Sequence, residues 1–474
     1  MNDQLLDKLV SIVGTGNVLT VATDIAPFIT DRRGRYTGQP LCVVRPGSVE
    51  QISSIVAACA EVSAAIVPQG GNTGLVGGAT PSEGSQGQVV VNLTRLNRIR
   101  AIDIDNNTIT AEAGCTLQQV QEAAAEAGRI FPLSLPAEDS ATIGGNLSTN
   151  AGGIQVLRYG NMRNLTLGLE VVLPDGRLFN ALRGLRKDNT GYDLKQMFIG
   201  AEGTLGLITA ATLKLFPQLQ DCATAWVAIP DPAAAVSLLN RLREACGDRI
   251  SAFEIIGRSA LELVLKHFRG VRDPLSARHE WQVLVELGDT LADADDEKKL
   301  NKILGNFFAV EIEAGRAIDA AIAQNKTQAQ ALWQLRKNIS DAQRIEGISI
   351  KHDIALPISR IAAFIDSAGA ALEREFPGVR IVCFGHIGDG NLHYNLSKIE
   401  SEVNVDFIAQ TSTVNRIVHD LVHKLGGSIS AEHGLGQLKR EEILRYKSGI
   451  EMELMHAIKN LLDPHCLMNP GKVL

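Results

Sequence analysis

Pro68-Gln69-Gly70-Gly71-Asn72-Thr73-Gly74, with Gly77 and Gly78 just beyond, is the stretch on which the reading of this chain turns. Glycine lets a backbone come close to a bulky anion and present its N–H groups to it, while Asn and Thr add short hydrogen-bonding arms without crowding. Two further loops share this chemistry. One is Ser140-Ala141-Thr142-Ile143-Gly144-Gly145-Asn146, running on to Thr149-Asn150-Ala151-Gly152-Gly153, and the other is Gly200-Ala201-Glu202-Gly203-Thr204-Leu205-Gly206. Taken singly each reads as a tight turn; three in one region point to a cradle for a diphosphate. Neither G-x-G-x-x-G nor G-x-x-x-x-G-K-[ST] occurs, which argues against a Rossmann nicotinamide enzyme and a P-loop nucleotidase. The expected ligand is a dinucleotide held in another way.

Around these loops the pattern is mixed α and β. Residues 88–93 form a short β-branched run, and 101–111 read as a hairpin about Asn106-Asn107. Thr116 and Gln119 form a capping-box pattern before a helix with Leu117, Val120 and Ala124 on its apolar face and Gly128 as its stop. A second hairpin over 168–182 turns at Pro174-Asp175-Gly176. Beyond Phe216-Pro217 glycine thins out and helical stretches appear at 232–245 and 327–344, which places a boundary there. The charged stretch 293–299 reads as a solvated loop and helix start.

The chain has 474 residues, too many for one hydrophobic core at ~150 residues per domain. Apolar residues at 45% and charged ones at 21% match ordinary globular proteins. A net charge of −7 without long Lys/Arg runs argues against nucleic acid or an anionic membrane as partner. The start MNDQLLDKLV lacks a signal-peptide pattern and no apolar run approaches a membrane span, so the expected location is cytoplasmic, or peripheral to the inner membrane through an electron acceptor. Seven cysteines, none in C-x-x-C spacing, suggest reduced, mostly buried thiols rather than a disulfide or iron–sulfur framework.

All ten histidines lie at or beyond His267, so imidazole chemistry must come from the second half. Cys383-Phe384-Gly385-His386-Ile387-Gly388-Asp389-Gly390-Asn391-Leu392-His393-Tyr394-Asn395 reads as strand, glycine turn, strand. Pairing about Asp389-Gly390 would set His386 across from His393, with Asn395 on the His393 face. Glu432 is a candidate third donor for a His/His/Glu site, an arrangement typical of catalytic zinc. On spacing alone, satisfied sheet histidines are an equal reading. His419 and His423, at i,i+4 on a helix, are a rival chelating pair without a third ligand. Arg336 and Ser340 fall on one helix face and Lys351 follows on an expected strand over 348–354. These cations suit a carboxylate, against a bland reading as surface charges.

Together PQGGNTGLVGG, SATIGGNLSTNAGG, RKDNTGYDLKQMFIG, AEGTLGLIT and the closing NPGK resemble the FAD-binding oxidoreductases of the vanillyl-alcohol oxidase and p-cresol methylhydroxylase type, closest to the D-2-hydroxyglutarate and D-lactate dehydrogenase branch. The likeness runs from about residue 40 to 472. It implies an α+β fold with a two-lobed FAD-binding domain over 1–217 and a substrate and metal domain over 218–424, built on an antiparallel sheet flanked by helices. A helical segment over 425–474 would complete the active site and pack back on the FAD domain.

By that resemblance Pro68, Gln69, Gly70, Gly71, Asn72, Thr73 and Gly74 wrap the FAD pyrophosphate. Ser140, Thr142, Gly145, Asn146, Thr149, Asn150 and Ala151 line the diphosphate and flavin, Glu202, Gly206 and Ile208 hold the nucleotide end, and Asn469 closes the site. The commonest covalent tether of the superfamily, a histidine, has no candidate in the first half, so noncovalent FAD is expected. A divalent metal, zinc first and manganese second, would be held by His386, His393 and Glu432. His433 would accept the substrate proton, Arg336 would engage the substrate carboxylate, and Asn395 would contact the substrate. Ser340 and Lys351 would meet a far carboxylate, with Ser340 standing where the family usually has Thr.

The implied reaction is metal-assisted oxidation of D-2-hydroxyglutarate, with D-malate as a second substrate, by a homodimer. The electrons would go to a non-oxygen acceptor such as an electron-transfer flavoprotein, quinone or cytochrome. The competing readings are an acceptor-dependent D-lactate dehydrogenase, a glycolate-oxidase-like flavin subunit, and a non-redox enzyme of the alkyl-dihydroxyacetone-phosphate synthase type.

Overall fold

The structure, a computed structural model, describes residues 2–84, 87–291, 299–398 and 403–474. The chain divides into two units. The first comprises Met1–Gly152, Gly160–Gln218 and Glu432–Leu474; the second comprises Gly153–Tyr159 and Leu219–Ala431. The seven-residue piece Gly153–Tyr159 thus leaves the first unit for the second, and the late crossing falls at Ala431, beyond the boundary at 424 expected from sequence. No local composition change marks either crossing. The charged stretch 293–299 lies outside the described residues except for Lys299, which opens the helix Lys299–Glu313.

In the first unit three short parallel strands, Cys42–Val44, Val89–Asn92 and Ile66–Gln69, pair side by side, with Val18–Leu19 antiparallel at one edge. Their β-branched runs are buried on both faces, as a covered parallel sheet requires, with Val43, Val67 and Val90 packed by Leu19, Ile25 and Phe28. The helix Val49–Glu61 makes the crossover, its first turn closed by Ser48, whose hydroxyl accepts the Gln51 N–H. A second sheet is antiparallel, in the order Ile99–Asp103, Thr108–Glu112, Leu207–Lys214, Thr166–Val172, Leu178–Ala181. Thr116 and Gln119 form a capping box on the helix Leu117–Glu126, which buries Leu117, Val120 and Ala124. The C-terminal segment is part of this unit: Met468 bridges Ile66, and Lys459 Nζ donates to the carbonyls of Thr204 and Met468.

The second unit is built on an eight-stranded antiparallel sheet. Its order is Asp319–Ile322, Asp221–Ile229, Trp281–Asp289, Ile250–Gly257, Arg380–Gly385, Asn391–Ser397 and Ser349–Ile350, with Asp353–Ala355 also pairing with Asn391–Ser397. One face carries Trp226, whose indole N–H donates to Gln282 Oε1 at 2.6 Å, packed with Leu261, Val264, Leu284, Leu335 and Phe384. The expected helix over 327–344 is two helices, Lys326–Lys337 and Ile339–Glu346, joined at Asn338 without leaving helical dihedrals. The expected strand over 348–354 is interrupted at Lys351 and His352. There the His352 N–H donates to the side-chain Oδ1 of Asn395 at 3.0 Å.

Candidate active site

The three glycine loops all belong to the first unit, and each is fixed to a regular element. The first leaves the end of the strand Ile66–Gln69. The second enters the helix Ile143–Ser148 through Thr142, whose hydroxyl accepts the Gly145 N–H. The third feeds the strand Leu207–Lys214. Two loops meet at van der Waals limit: a Cβ on Gly71 would stand 1.8 Å from the Ser140 carbonyl oxygen, and one on Gly70 would stand 2.1 Å from Thr142 Oγ1. No other residue allows that approach.

Many of the polar side chains predicted from sequence to touch the cofactor bond to main-chain groups of the first unit. Gln69 Nε2 donates to the carbonyls of Phe28 and Ala79, Asn72 Nδ2 to that of Thr30, and Asn469 Nδ2 to those of Gly78 and Glu202. Asn150 Oδ1 accepts the Arg163 N–H and Thr149 Oγ1 donates to the Gly145 carbonyl. Asn72, Asn150, Glu202 and Asn469 all hold left-handed dihedrals (φ 45–53°), a conformation costly outside glycine and retained where surrounding structure over-determines it. What these loops offer a ligand is therefore chiefly backbone. Asn146 Nδ2 and Asn469 Oδ1 are buried and find no hydrogen-bond partner among the described residues. A donor and an acceptor left so in a glycine-lined cradle fit a polar cofactor such as FAD.

Glu202 has a role the sequence did not reveal. Its buried carboxylate accepts the N–H groups of Leu435 (2.7 Å) and Gly436 (2.9 Å), anchoring the loop that carries Glu432 and His433. Burial raises its pKa, opposed by those two N–H groups and by Lys439. Within the loop, Glu432 Oε1 and His433 Nε2 are 3.6 Å apart.

The second unit gathers the charged groups. Register in the strand pair Arg380–Gly385 and Asn391–Ser397 places Phe384, not His386, opposite His393. The strand ends at Gly385 (φ 149°), and His386 opens a turn in which its carbonyl accepts the N–H groups of Asp389, Gly390 and Asn391. The turn is therefore wider than the one about Asp389-Gly390 that spacing suggested. It still brings the rings of His386 and His393 to 5.8 Å between centroids.

Each imidazole has a carboxylate behind it. His386 Nδ1 lies 2.5 Å from Glu254 Oε1, and His393 Nδ1 lies 4.0 Å from Asp353 Oδ1, which also accepts Asn391 Nδ2 at 2.9 Å. At hydrogen-bond distance, as for His386, a carboxylate holds the proton on Nδ1 and leaves Nε2 as the nitrogen that ligates a metal. The other oxygen of Glu254 takes the Nε and Nη2 edge of Arg336, at 2.8 and 2.7 Å. That guanidinium lies 4.8 Å from the centre of the Phe384 ring. Burial pushes the Glu254 carboxyl up, but the His386 and Arg336 charges outweigh it and hold it at about 2. Neither Glu254 nor Asp353 was picked out from the sequence. The available signal for Glu254 was a lone carboxylate in the apolar strand Ile250–Gly257.

The other candidates also belong to this unit. Ser340 is exposed, one residue into its helix, and Lys351 is half-buried at the strand interruption. The Asn395 carboxamide is engaged at both ends, donating to Gln343 Oε1 (2.9 Å) and accepting the His352 N–H. Of the rival pair, His419 is buried against the His352 ring at 5.4 Å, while His423 is exposed.

Residues 40–181 match the FAD binding domain, and residues 219–473 match the C-terminal domain of FAD linked oxidases. The chain is 37% identical to a mitochondrial D-2-hydroxyglutarate dehydrogenase of Arabidopsis thaliana, over 98% of this chain and 80% of that protein. It is 36% identical to a D-2-hydroxyglutarate dehydrogenase of Xanthomonas citri, over 100% and 97% respectively. Among solved structures, p-cresol methylhydroxylase with substrate bound superposes with a TM-score of 0.77 at 19% identity, covering 99% of this chain and 96% of that one. An alkyldihydroxyacetonephosphate synthase gives a TM-score of 0.73 at 17% identity, covering 98% of this chain and 85% of the other, a likeness of fold alone. With both halves matched and relatives 36–37% identical over nearly the whole chain, the chain belongs to the family of FAD-linked oxidases.

Proposed function

We propose that this protein is a FAD-dependent dehydrogenase that oxidises D-2-hydroxyglutarate to its 2-oxo acid with the help of a divalent metal, handing electrons to an acceptor other than oxygen. The observation that carries this reading is the cluster in the second unit: His386 against the Glu254 carboxylate, His393 near that of Asp353, and a buried arginine tied to Glu254. Relatives bearing the D-2-hydroxyglutarate dehydrogenase name align over nearly the whole chain and supply the substrate class.

His386, His393 and Glu432 would hold the metal, a nitrogen and oxygen donor set suited to zinc and then manganese. Support for Glu432 comes from the chain path. Ser428, four residues before Glu432, bridges Ala355 on the strand whose Asp353 pairs with His393. When bound, the flavin supplies a two-electron acceptor and the cation supplies Lewis acidity toward the hydroxyl.

The chain's own groups do the rest. Arg336 binds the C1 carboxylate with the edge that Glu254 leaves uncovered, and so orients C2. His433 takes the C2 hydroxyl proton on a ring nitrogen as the C2 hydride departs, leaving the 2-oxo acid. Lys351 meets the distal carboxylate. The glycine loops exclude water from the dinucleotide and hold it through backbone N–H groups.

The test is anaerobic mixing of the flavin-loaded protein with a panel of D- and L-2-hydroxy acids. Bleaching of the flavin band should be fastest with D-2-hydroxyglutarate and absent with its L-isomer. Equal rates for both isomers, or none with any acid, contradict the assignment.

A further inference from the structure

Resting on that reading, we propose that Glu254 is a positioning residue that makes one unit of the metal-binding imidazole of His386 and the substrate-binding guanidinium of Arg336. Its carboxylate has one oxygen for each: Oε1 faces His386 Nδ1 at 2.5 Å, and Oε2 takes Arg336 Nε and Nη2 at 2.8 and 2.7 Å. The side chains of Glu254, Arg336 and His386 are only 1, 9 and 10% exposed, so water does not substitute for any of these bonds. The strand bearing Glu254 is itself held in register next to the hairpin, through Ile255 opposite Gly385 and Ile256 opposite Phe384.

The geometry has two consequences. A carboxylate ion-paired with a guanidinium accepts and does not donate, so His386 must carry a proton on Nδ1, which leaves Nε2 as the nitrogen that would ligate a metal. The same carboxylate fixes which edge of Arg336 remains for substrate, and the Phe384 ring, 4.8 Å from the guanidinium, limits its swing. Phe384 also lies 4.9 Å from the His393 ring, so the aromatic contact extends to the second imidazole. Metal capture and carboxylate recognition should therefore depend on one residue that touches neither ligand.

The isosteric change Glu254→Gln tests this. A carboxamide has one acceptor and one donor end, so it cannot accept from both partners at once. In E254Q, zinc affinity of the metal-stripped protein should fall ~10–100-fold, as for other carboxylate partners of metal-bound histidines. KM for D-2-hydroxyglutarate should rise about tenfold or more, the scale of losing one charge-assisted contact, with FAD content unchanged. In R336M, KM should rise while zinc affinity stays within about threefold of wild type, because the Glu254–His386 bond survives. Loss of only one of the two properties in E254Q, or wild-type values for both, overturns the proposal.

Should E254Q lose its FAD or fail to fold, a histidine-selective nitrogen-15 spectrum of the wild-type protein decides. His386 in the Nδ1–H form supports the proposal, and the Nε2–H form overturns it. Failure of the underlying reading looks different: wild-type protein would then bind no zinc, and H386A would leave flavin reduction unaffected.

Discussion

The two units solve opposite problems with opposite materials. The first unit's glycine loops contain no histidine, and most of their polar side chains bond to main-chain groups of the same unit, so what they offer a ligand is chiefly main chain. The second unit buries full charges on rigid strands, each paired with another group: Glu254 with Arg336 and His386, and Asp353 beside His393. A backbone cradle recognises shape and diphosphate and tolerates many chemistries beside it. A buried charge network costs several kcal/mol per ion to desolvate unless every member is paired, and it is retained where placing a charge matters more than stability. In the proposed function the difference separates holding the flavin from anchoring the substrate carboxylate, although Glu432 and His433 come from the first unit.

Substitutions confined to one unit should separate these two tasks. The largest effect is expected from His393→Ala: substrate-driven flavin reduction should fall by about a thousandfold, the several kcal/mol that a Lewis acid contributes, with FAD content intact. Stopped-flow traces and the flavin-to-protein absorbance ratio check both halves. Next is Gly71→Val, whose Cβ would stand 1.8 Å from the Ser140 carbonyl oxygen. Overpacking of ~1–3 kcal/mol should weaken FAD binding roughly 10–100-fold while zinc binding stays at the wild-type level; titration of the apoprotein with FAD and then zinc measures each. Loss of both ligands in either variant would dissolve the distinction.

Lys351→Met sharpens the substrate side. Removing one charge-assisted contact should lower kcat/KM for D-2-hydroxyglutarate by ~10–100-fold and leave D-lactate nearly unchanged. Equal losses for both acids would remove the distal-carboxylate argument. The smallest effect belongs to Lys472 in the first unit, buried with its ammonium donating to Ser82 Oγ at 2.7 Å. Burial, helped by Arg440, lowers its pKa to about 8. Between that value and the ordinary lysine value near ~10.4, the unfolded chain binds more protons than the folded one, so stability should rise with pH across this window. Replacement by Met should flatten that rise, visible as a difference of about 1 °C in melting temperature per kcal/mol when scans at pH 7.5 and 10 are compared.

What could be read from the sequence follows the same division. The capping box at Thr116 and Gln119, the β-branched strand at 89–92 and the three glycine loops depend on neighbours a few residues away, so local pattern carries them. The hairpin around His386 and His393 was legible as a hairpin, but its register was not. Gly385 ends the strand early and the His386 carbonyl organises a wide turn, details that spacing about Asp389-Gly390 does not contain. Glu254 was out of reach because its partners lie 82 and 132 residues away. Glu202, quoted in a glycine loop, was legible as a position but not as the anchor of a loop 233 residues downstream. The excursion of Gly153–Tyr159 into the second unit leaves no trace in composition. No helix among the described residues is long and apolar enough to cross a membrane, in keeping with the hydropathy of the sequence.

The central claim is that a cation held by His386, His393 and Glu432 activates the hydroxyl that the flavin oxidises. Its most direct test is single-turnover flavin reduction by D-2-hydroxyglutarate, followed anaerobically before chelation, after it, and after zinc is restored. The account predicts that chelation abolishes bleaching without releasing FAD and that zinc brings it back in wild type but not in H393A. Undiminished reduction by fully metal-free protein would contradict it.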